Sequence, residues 1–406
     1  MGLFTPQWDL EINGSTFLSG RHRSMIRSVE VLASIDGADE LMIEAEGLDQ
    51  LDGTFRFIGE TILAPGNMVV VWAGYAGVPL VALQEFQITN ESARYSATGV
   101  PVSIRGLSAE YRLADYTAAR KWAAGTSFSD VAAEIAADHG LTVTASSLEY
   151  LPNEVAEAKS AKGVVKAQGT TDLEFLQTLA KRLEFGPPYV RYDANTRKNV
   201  LYFRTPRLDD QPSVARFVFH PPLAGVETPA TIFEFAPEIT LAGVPTAVQV
   251  IGWDPIAQQP IAVTMEINAE GQKTLIQTGD EVANIPTSIK SGGQLAVVIL
   301  DTSKAADKTD KIESFAHFLL ETTEDAESWA ARWLATRSKA FLRSRATVIG
   351  YEGLWIAQAH RFEGLATTHN GLYELEECRH KLHPGPYVCD LELQIVLEES
   401  AAPVAV

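Results

Sequence analysis

Runs of alternating side chains, punctuated by turns, occupy both ends of the chain, and no other feature limits the fold so strongly. Trp8 to Ile12 alternates and meets Asn13-Gly14, a pair suited to the left-handed positions of a tight hairpin. Ile26 to Ile35 alternates again and stops at Asp36-Gly37; Leu41 to Ala45 follows. Pro65-Gly66 opens the run Met68-Val69-Val70-Val71-Trp72-Ala73-Gly74-Tyr75, and Phe86 to Ile88 and Val102 to Gly106 read as closing strands. Period-two alternation puts every second side chain on one face. Short strands with frequent turns therefore predict a small closed β-barrel over residues 1–115. The far end has the same character. Thr246 to Asp254 reads as a strand running into a turn, and Arg345 to Gly350, Leu372 to His380 and Tyr387 to Ile395 are three more β segments. They predict a second barrel over residues 213–400.

Between them the pattern changes to helix and strand, over residues 116–212. Phe128, Val131 and Ile135 recur at helical spacing, Ser127 with Asp130 resembles a capping box, and Gly140 is a natural stop. A second helix is better marked: Thr171 and Glu174 fit a capping box, and Leu173, Leu176, Leu179, Ala180 and Leu183 form one apolar stripe. Leu141 to Thr144 reads as a strand and Tyr189 to Phe203 as a hairpin. Within the second β region, residues 266–315 are weakly periodic and read as an insertion or long loop. Residues 324–341 read as a helix on which Trp329 and Trp333 lie one turn apart. The fold class expected is mainly β with an α+β insert, a repeat of architecture rather than of residues.

Charge narrows the partners. The chain has 33 basic and 52 acidic residues, a net charge of −19. A surface this acidic does not grip nucleic acid, which needs clustered Lys and Arg; it suits solubility, or the wall of a conduit that repels a polyanion. No apolar run is long enough to span a membrane, and Met1 to Asp9 lacks the basic and apolar regions of a secretory signal. The only cysteines are Cys378 and Cys389, with no CxxC and no zinc-type spacing, so no metal ligands are expected and synthesis in a reducing cytoplasm is. Counting outward from a turn near His383 and Pro384 sets these cysteines opposite one another on adjacent strands. Two reduced thiols on one barrel face are the favoured state, with a strained bridge as the alternative.

Four stretches in this order resemble the late control protein D family of phage tails. The first is Ala64-Pro65-Gly66 with Met68 to Tyr75, a Pro-Gly, apolar strand and Gly-Tyr sequence. The second is Lys121-Trp122 with Gly125 to Val131 and His139-Gly140-Leu141. The third is Gln168 to Leu176 with Leu179-Ala180, where a Thr-Asp-Leu start precedes Phe-Leu. The fourth is Gly371-Leu372-Tyr373 with Arg379-His380-Lys381 and Gly385-Pro386-Tyr387. The family usually has a Pro-Gly before a late strand, where this chain has Ala357-Gln358-Ala359-His360. The resemblance implies a baseplate hub: a homotrimer whose six barrels form a pseudo-sixfold ring between a hexameric tail tube and a trimeric spike. It also implies a tail tube or tube-initiator protein, a tape measure protein and baseplate wedge proteins as partners. Its place would be the tail baseplate of a virion or injection particle, after synthesis in the bacterial cytoplasm.

Catalytic alternatives have weaker support. Paired acids occur at Asp172 with Glu174 and at Glu376 with Glu377, but in no recognisable motif, and Glu174 serves a cap. There is no Gly-x-Ser-x-Gly, P-loop or His-Glu-x-x-His. His380 and His383 flank a hairpin turn and read as strand histidines; Trp329 and Trp333 read as core rather than a sugar platform. Residues 126–141 faintly resemble a LysM-type peptidoglycan-binding module. The expectation is a non-enzymatic assembly protein with no catalytic, cofactor-binding or metal-ligating residues and no cofactor. A peptidoglycan-binding or peptidoglycan-cleaving tail component is the alternative.

Overall fold

A computed structural model describes residues 5–14, 16–115, 118–148, 163–183, 186–204, 215–219, 231–239, 247–254, 259–267, 273–278, 312–316, 342–367, 369–382 and 385–396. Among the described residues the first β region has seven strands: β1 (Pro6–Ile12), β2 (Thr16–Phe17), β3 (Ile26–Ser34), β4 (Glu40–Glu46), β5 (Met68–Tyr75), β6 (Val81–Ala93) and β7 (Pro101–Ser108). Asn13 and Gly14 take φ of 50° and 74°, the left-handed pair that turns β1 back into β2. A short helix, α1 (Gly20–Met25), precedes β3. The strands run antiparallel in the order β3-β4-β7-β6-β5-β1-β2. Period two holds: Val29, Val31 and Ala33 of β3 are buried, as are Leu41, Ile43 and Ala45 of β4.

The middle of the chain is built on two capped helices. After α2 (Tyr111–Asp115) and β8 (Arg120–Trp122) comes α3 (Phe128–Asp138). Ser127 caps it by accepting from the Asp130 amide at 3.0 Å. At its end Leu141 N bonds Ala136 O and Gly140 N bonds Ala137 O, a Schellman closure with Gly140 at φ 68°. Beyond it, Leu141 to Thr144 forms a single bridge, Thr142 to Val200, before a 3-10 turn at Ala145–Leu148, so the predicted strand is not extended there. Next come β9 (Val164–Lys166) and α4 (Asp172–Leu183), which opens on a full capping box: Thr171 N donates to Glu174 Oε2 at 3.0 Å and Glu174 N to Thr171 Oγ1 at 3.1 Å. The hairpin β10 (Tyr189–Asp193) and β11 (Lys198–Tyr202) closes the group. Phe128, Val131 and Ile135 pack in one core with Leu176, Leu179, Val190, Leu201 and Phe203. Trp122 stacks on Phe175 with ring centres 5.5 Å apart.

The second β region returns to the first. Its strands are β12 (Arg216–Val218) and β13 (Ile232–Ile239), then β14 (Ala247–Asp254), β15 (Gln259–Ile267), β16 (Lys273–Thr278) and β17 (Ile312–Ala316), and finally β18 (Leu342–Ile349), β19 (Ala359–Glu363), β20 (Gly371–Leu382) and β21 (Tyr387–Ile395). β20 pairs antiparallel with β3, setting Cys378 opposite Ala33, His380 opposite Val31 and Leu382 opposite Val29. One 13-stranded sheet thereby runs β13-β18-β21-β20-β3 and on through the first region to β2, with β12 and β19 branching at β20. The chain divides into two compact units. One comprises Met1–Ala236, Arg345–Leu365 and Asn370–Leu393; the other comprises Pro237–Ser344, Ala366–His369 and Gln394–Val406.

The second unit contains the four-stranded sheet β16-β15-β14-β17, antiparallel except where β17 joins β14 in parallel. β16 and most of β17 fall in the segment whose weak periodicity reads as an insertion. The helix expected over 324–341, with Trp329 and Trp333, lies outside the described residues, as do His383, Pro384 and the tail from Ser400. Among the described residues no helix is long and apolar enough to cross a membrane.

Candidate functional site

Strand alternation creates the most unusual side-chain cluster. Cys378 and His380 project to one face of β20, and Tyr387 and Cys389 share a face of the neighbouring β21; Cys378, His380 and Cys389 are each 0% exposed. Both cysteines are free. The Cys378 sulfur lies 3.4 Å from His380 Nε2 and the Cys389 sulfur 3.3 Å from Nδ1. Nε2 is 3.2 Å from the Leu354 carbonyl, which can only accept, so Nε2 carries the proton and Nδ1 accepts from the Tyr387 hydroxyl at 2.7 Å. Burial pushes the Cys378 thiol up.

Two further polar groups lie in dry surroundings. Gln84 Nε2 donates to Asp39 Oδ2 and to the Val190 carbonyl, both at 2.7 Å, while its oxygen accepts from Tyr192 N at 2.7 Å. This one amide ties the first β region to the β10–β11 hairpin. Asp39 Oδ1 and Glu110 Oε2 have no hydrogen-bond partner among the described residues. Burial, only partly offset by the Gln84 bond, raises Asp39 to about 7. Burial and then repulsion from Asp39 raise Glu110 well above the carboxylate range. In the α+β part, Asp172 accepts from His139 Nε2 at 2.8 Å and pairs with Lys166, itself 1% exposed. This ionic group pins the end of α3 and strand β9 to the start of α4.

The surface offers a groove and an apolar patch. The groove, about 320 Å³, is lined by Glu234, Arg345, Glu377, Arg379, Asp390 and Glu392 and is laced by ion pairs such as Arg345 to Glu392 at 3.2 Å. Leu51 is 90% exposed, and Phe55 and Tyr95 meet edge to face at 5.8 Å with their rings half in solvent. Such apolar exposure beside charged side chains is what a protein–protein contact uses.

The acids weighed in the sequence now have places. Glu174 caps α4, Asp172 sits in the buried ionic group, and Glu377 pairs with Arg379 at 3.8 Å. No sequence search by CxxC spacing could find the hairpin cluster. Its signal is a Cys-x-His on one strand and a Tyr-x-Cys on the next, which converge only when both are extended and adjacent.

No protein-family model matches the sequence, and no curated relative does. Solved structures do match the fold. A tail protein from Neisseria meningitidis MC58 superposes with a TM-score of 0.62 at 12% identity, covering 96% of this chain and 97% of that one. The 43 kDa tail protein of prophage MuSo2 from Shewanella oneidensis gives 0.61 at 12% identity, covering 96% and 98%. An Escherichia coli component of the type VI secretion system, described as similar to the T4 tail proteins gp27 and gp5, gives 0.51 at 8% identity, covering 98% and 79%.

Proposed function

We propose that this chain is a structural hub of a contractile phage-type tail, of the late control protein D kind, and that it works by assembly rather than catalysis. The observation that carries this is the likeness to two tail proteins over nearly the whole of both chains, with a TM-score of 0.62 for the first. A match of that extent runs along nearly the whole chain rather than one common motif. The secretion-system component extends the likeness to a machine of related design.

In this reading three copies associate, each contributing two barrel-like β regions to a pseudo-sixfold ring. The ring adapts a hexameric tube, or its initiator, on one side to a trimeric spike on the other. Tape measure and baseplate wedge proteins are its remaining partners, and the assembled particle is its location. The half-exposed Phe55 and Tyr95 with Leu51 are suited to burial against such a neighbour. Light scattering at micromolar concentration tests the reading. Three times the 44.2 kDa chain mass is expected, alone or with the spike protein added, and a monomer under both conditions refutes it. A peptidoglycan pulldown with a cell-wall turbidity assay tests the competing role: retention on the wall or loss of turbidity would favour a wall-binding or wall-cleaving component.

A further inference from the structure

The cluster on β20 and β21 brings together the donor atoms of a metal site. A core position needs only apolar volume, yet this one collects two thiols and an imidazole whose donor atoms lie within 4.8 Å of one another. The imidazole is already fixed as a ligating histidine is: its Nε2 proton is held by the Leu354 carbonyl, leaving the Nδ1 lone pair directed at Cys389 and Tyr387. The separation of Cys389 sulfur from Nδ1, 3.3 Å, is close to the roughly 3.5 Å that two ligands span across a tetrahedral zinc with ordinary bond lengths.

We propose that Cys378 Sγ, Cys389 Sγ and His380 Nδ1 bind one soft divalent cation, zinc by preference, with the Tyr387 hydroxyl at the fourth position. Cys378 now faces the Nε2 edge of the ring, so this coordination requires its side chain to rotate toward the Nδ1 side. Charge selects a dication. Binding releases one proton from each thiol, and two thiolates cancel the two positive charges of the metal. The complex is neutral, as a dry core requires, whereas a lone thiolate or a bare cation there would be costly. Softness then selects zinc over magnesium or calcium, which prefer carboxylate and water oxygens. The three ligands are 0% exposed, so the ion enters as the chain folds rather than afterwards. Bound there, it would clamp β20, β21 and the Leu354 segment together where the second β region joins β3.

The test is metal content. The full chain, expressed with zinc in the medium and purified without chelator, should hold about one zinc per chain by plasma mass spectrometry. Refolded with cobalt instead, it should show intense thiolate-to-cobalt absorption. The Cys378→Ala/Cys389→Ala variant keeps small apolar side chains at both sites and should fold, by circular dichroism, without binding metal. Three results each overturn the proposal. One is zinc below about a tenth of an equivalent in wild type, with no rise in melting temperature on refolding in zinc. Another is an intact mass two protons lighter under non-reducing conditions, which would show the sulfurs consumed in a bridge. The last is zinc retained undiminished by the double variant.

Discussion

Asp39 and Glu110 are acids in a place that disfavours charge, and the consequence is a stability that depends on pH. Asp39 is raised to about 7 by burial. Between the ordinary carboxylate range and pH 7 the native state therefore holds a proton that the unfolded state has lost. Stability falls as pH rises through that window, at up to about 1.4 kcal/mol per pH unit for one proton. His360 acts oppositely. Burial lowers it to about 4, so between pH 4 and its ordinary value the unfolded state binds the extra proton and stability rises with pH. The two cancel in part, and the decisive measurement is a difference. Urea melts of wild type and Asp39→Asn between pH 5 and 8 should diverge, the variant losing less stability as pH rises; parallel curves would show that Asp39 is not raised. Ala357 is a second special residue, buried with φ at 56°. Ala357→Val should cost more than about 2 kcal/mol, since a branched side chain is disfavoured in that conformation and the site is full. Ala357→Gly should be near neutral, because relief of roughly 1–2 kcal/mol of backbone strain is offset by a lost methyl and a more flexible unfolded chain. Equal losses from both would mean that packing, not backbone strain, governs the position.

At the scale of elements, α4 shows how a cap and a stripe share the work. Leu176 and Leu179 are both 0% exposed in the core with Phe128 and Leu201. Leu176→Ala should destabilise by about 2–5 kcal/mol, while Thr171→Ala, which removes only a cap acceptor, should cost about 1 kcal/mol. Denaturant melts of the two variants check the ordering, and a cap variant as damaging as the core variant would reverse the assignment. The buried Asp172 at the start of the same helix adds a tie to Lys166 and His139 that a capping motif alone does not reveal.

For the whole molecule the net charge of −19 governs association. Copies brought together in the proposed trimer repel one another over distances comparable to the screening length, about 8–10 Å near physiological salt. Raising salt from about 20 to 200 mM, which shortens that length about threefold, should therefore tighten self-association in sedimentation equilibrium. Weakening with salt would show that ion pairs across the interface outweigh the overall repulsion. In the proposed ring we expect acidic side chains to outnumber basic ones on the channel wall. A positive potential along the lumen of the assembled particle would contradict this.

Local physics accounts for what was legible in the sequence. The hairpin at Asn13-Gly14, the caps at Ser127 and Thr171, the stop at Gly140 and the buried faces of β3, β4 and α4 depend on residues a few positions apart. Near neighbours in sequence are near neighbours in space, so the code for these features is short. Pairing across hundreds of residues has no such code. Nothing in β3 or β20 specifies the other, since both alternate and either could pair elsewhere; only the assembled sheet makes them adjacent. The buried groups follow the same division. That Cys378 and His380 share a strand face could be read from their spacing, but Cys389, Tyr387 and the Leu354 carbonyl meet them only through tertiary folding. Asp39 and Glu110 are ordinary acids in the sequence, and burial alone makes them reluctant to ionise.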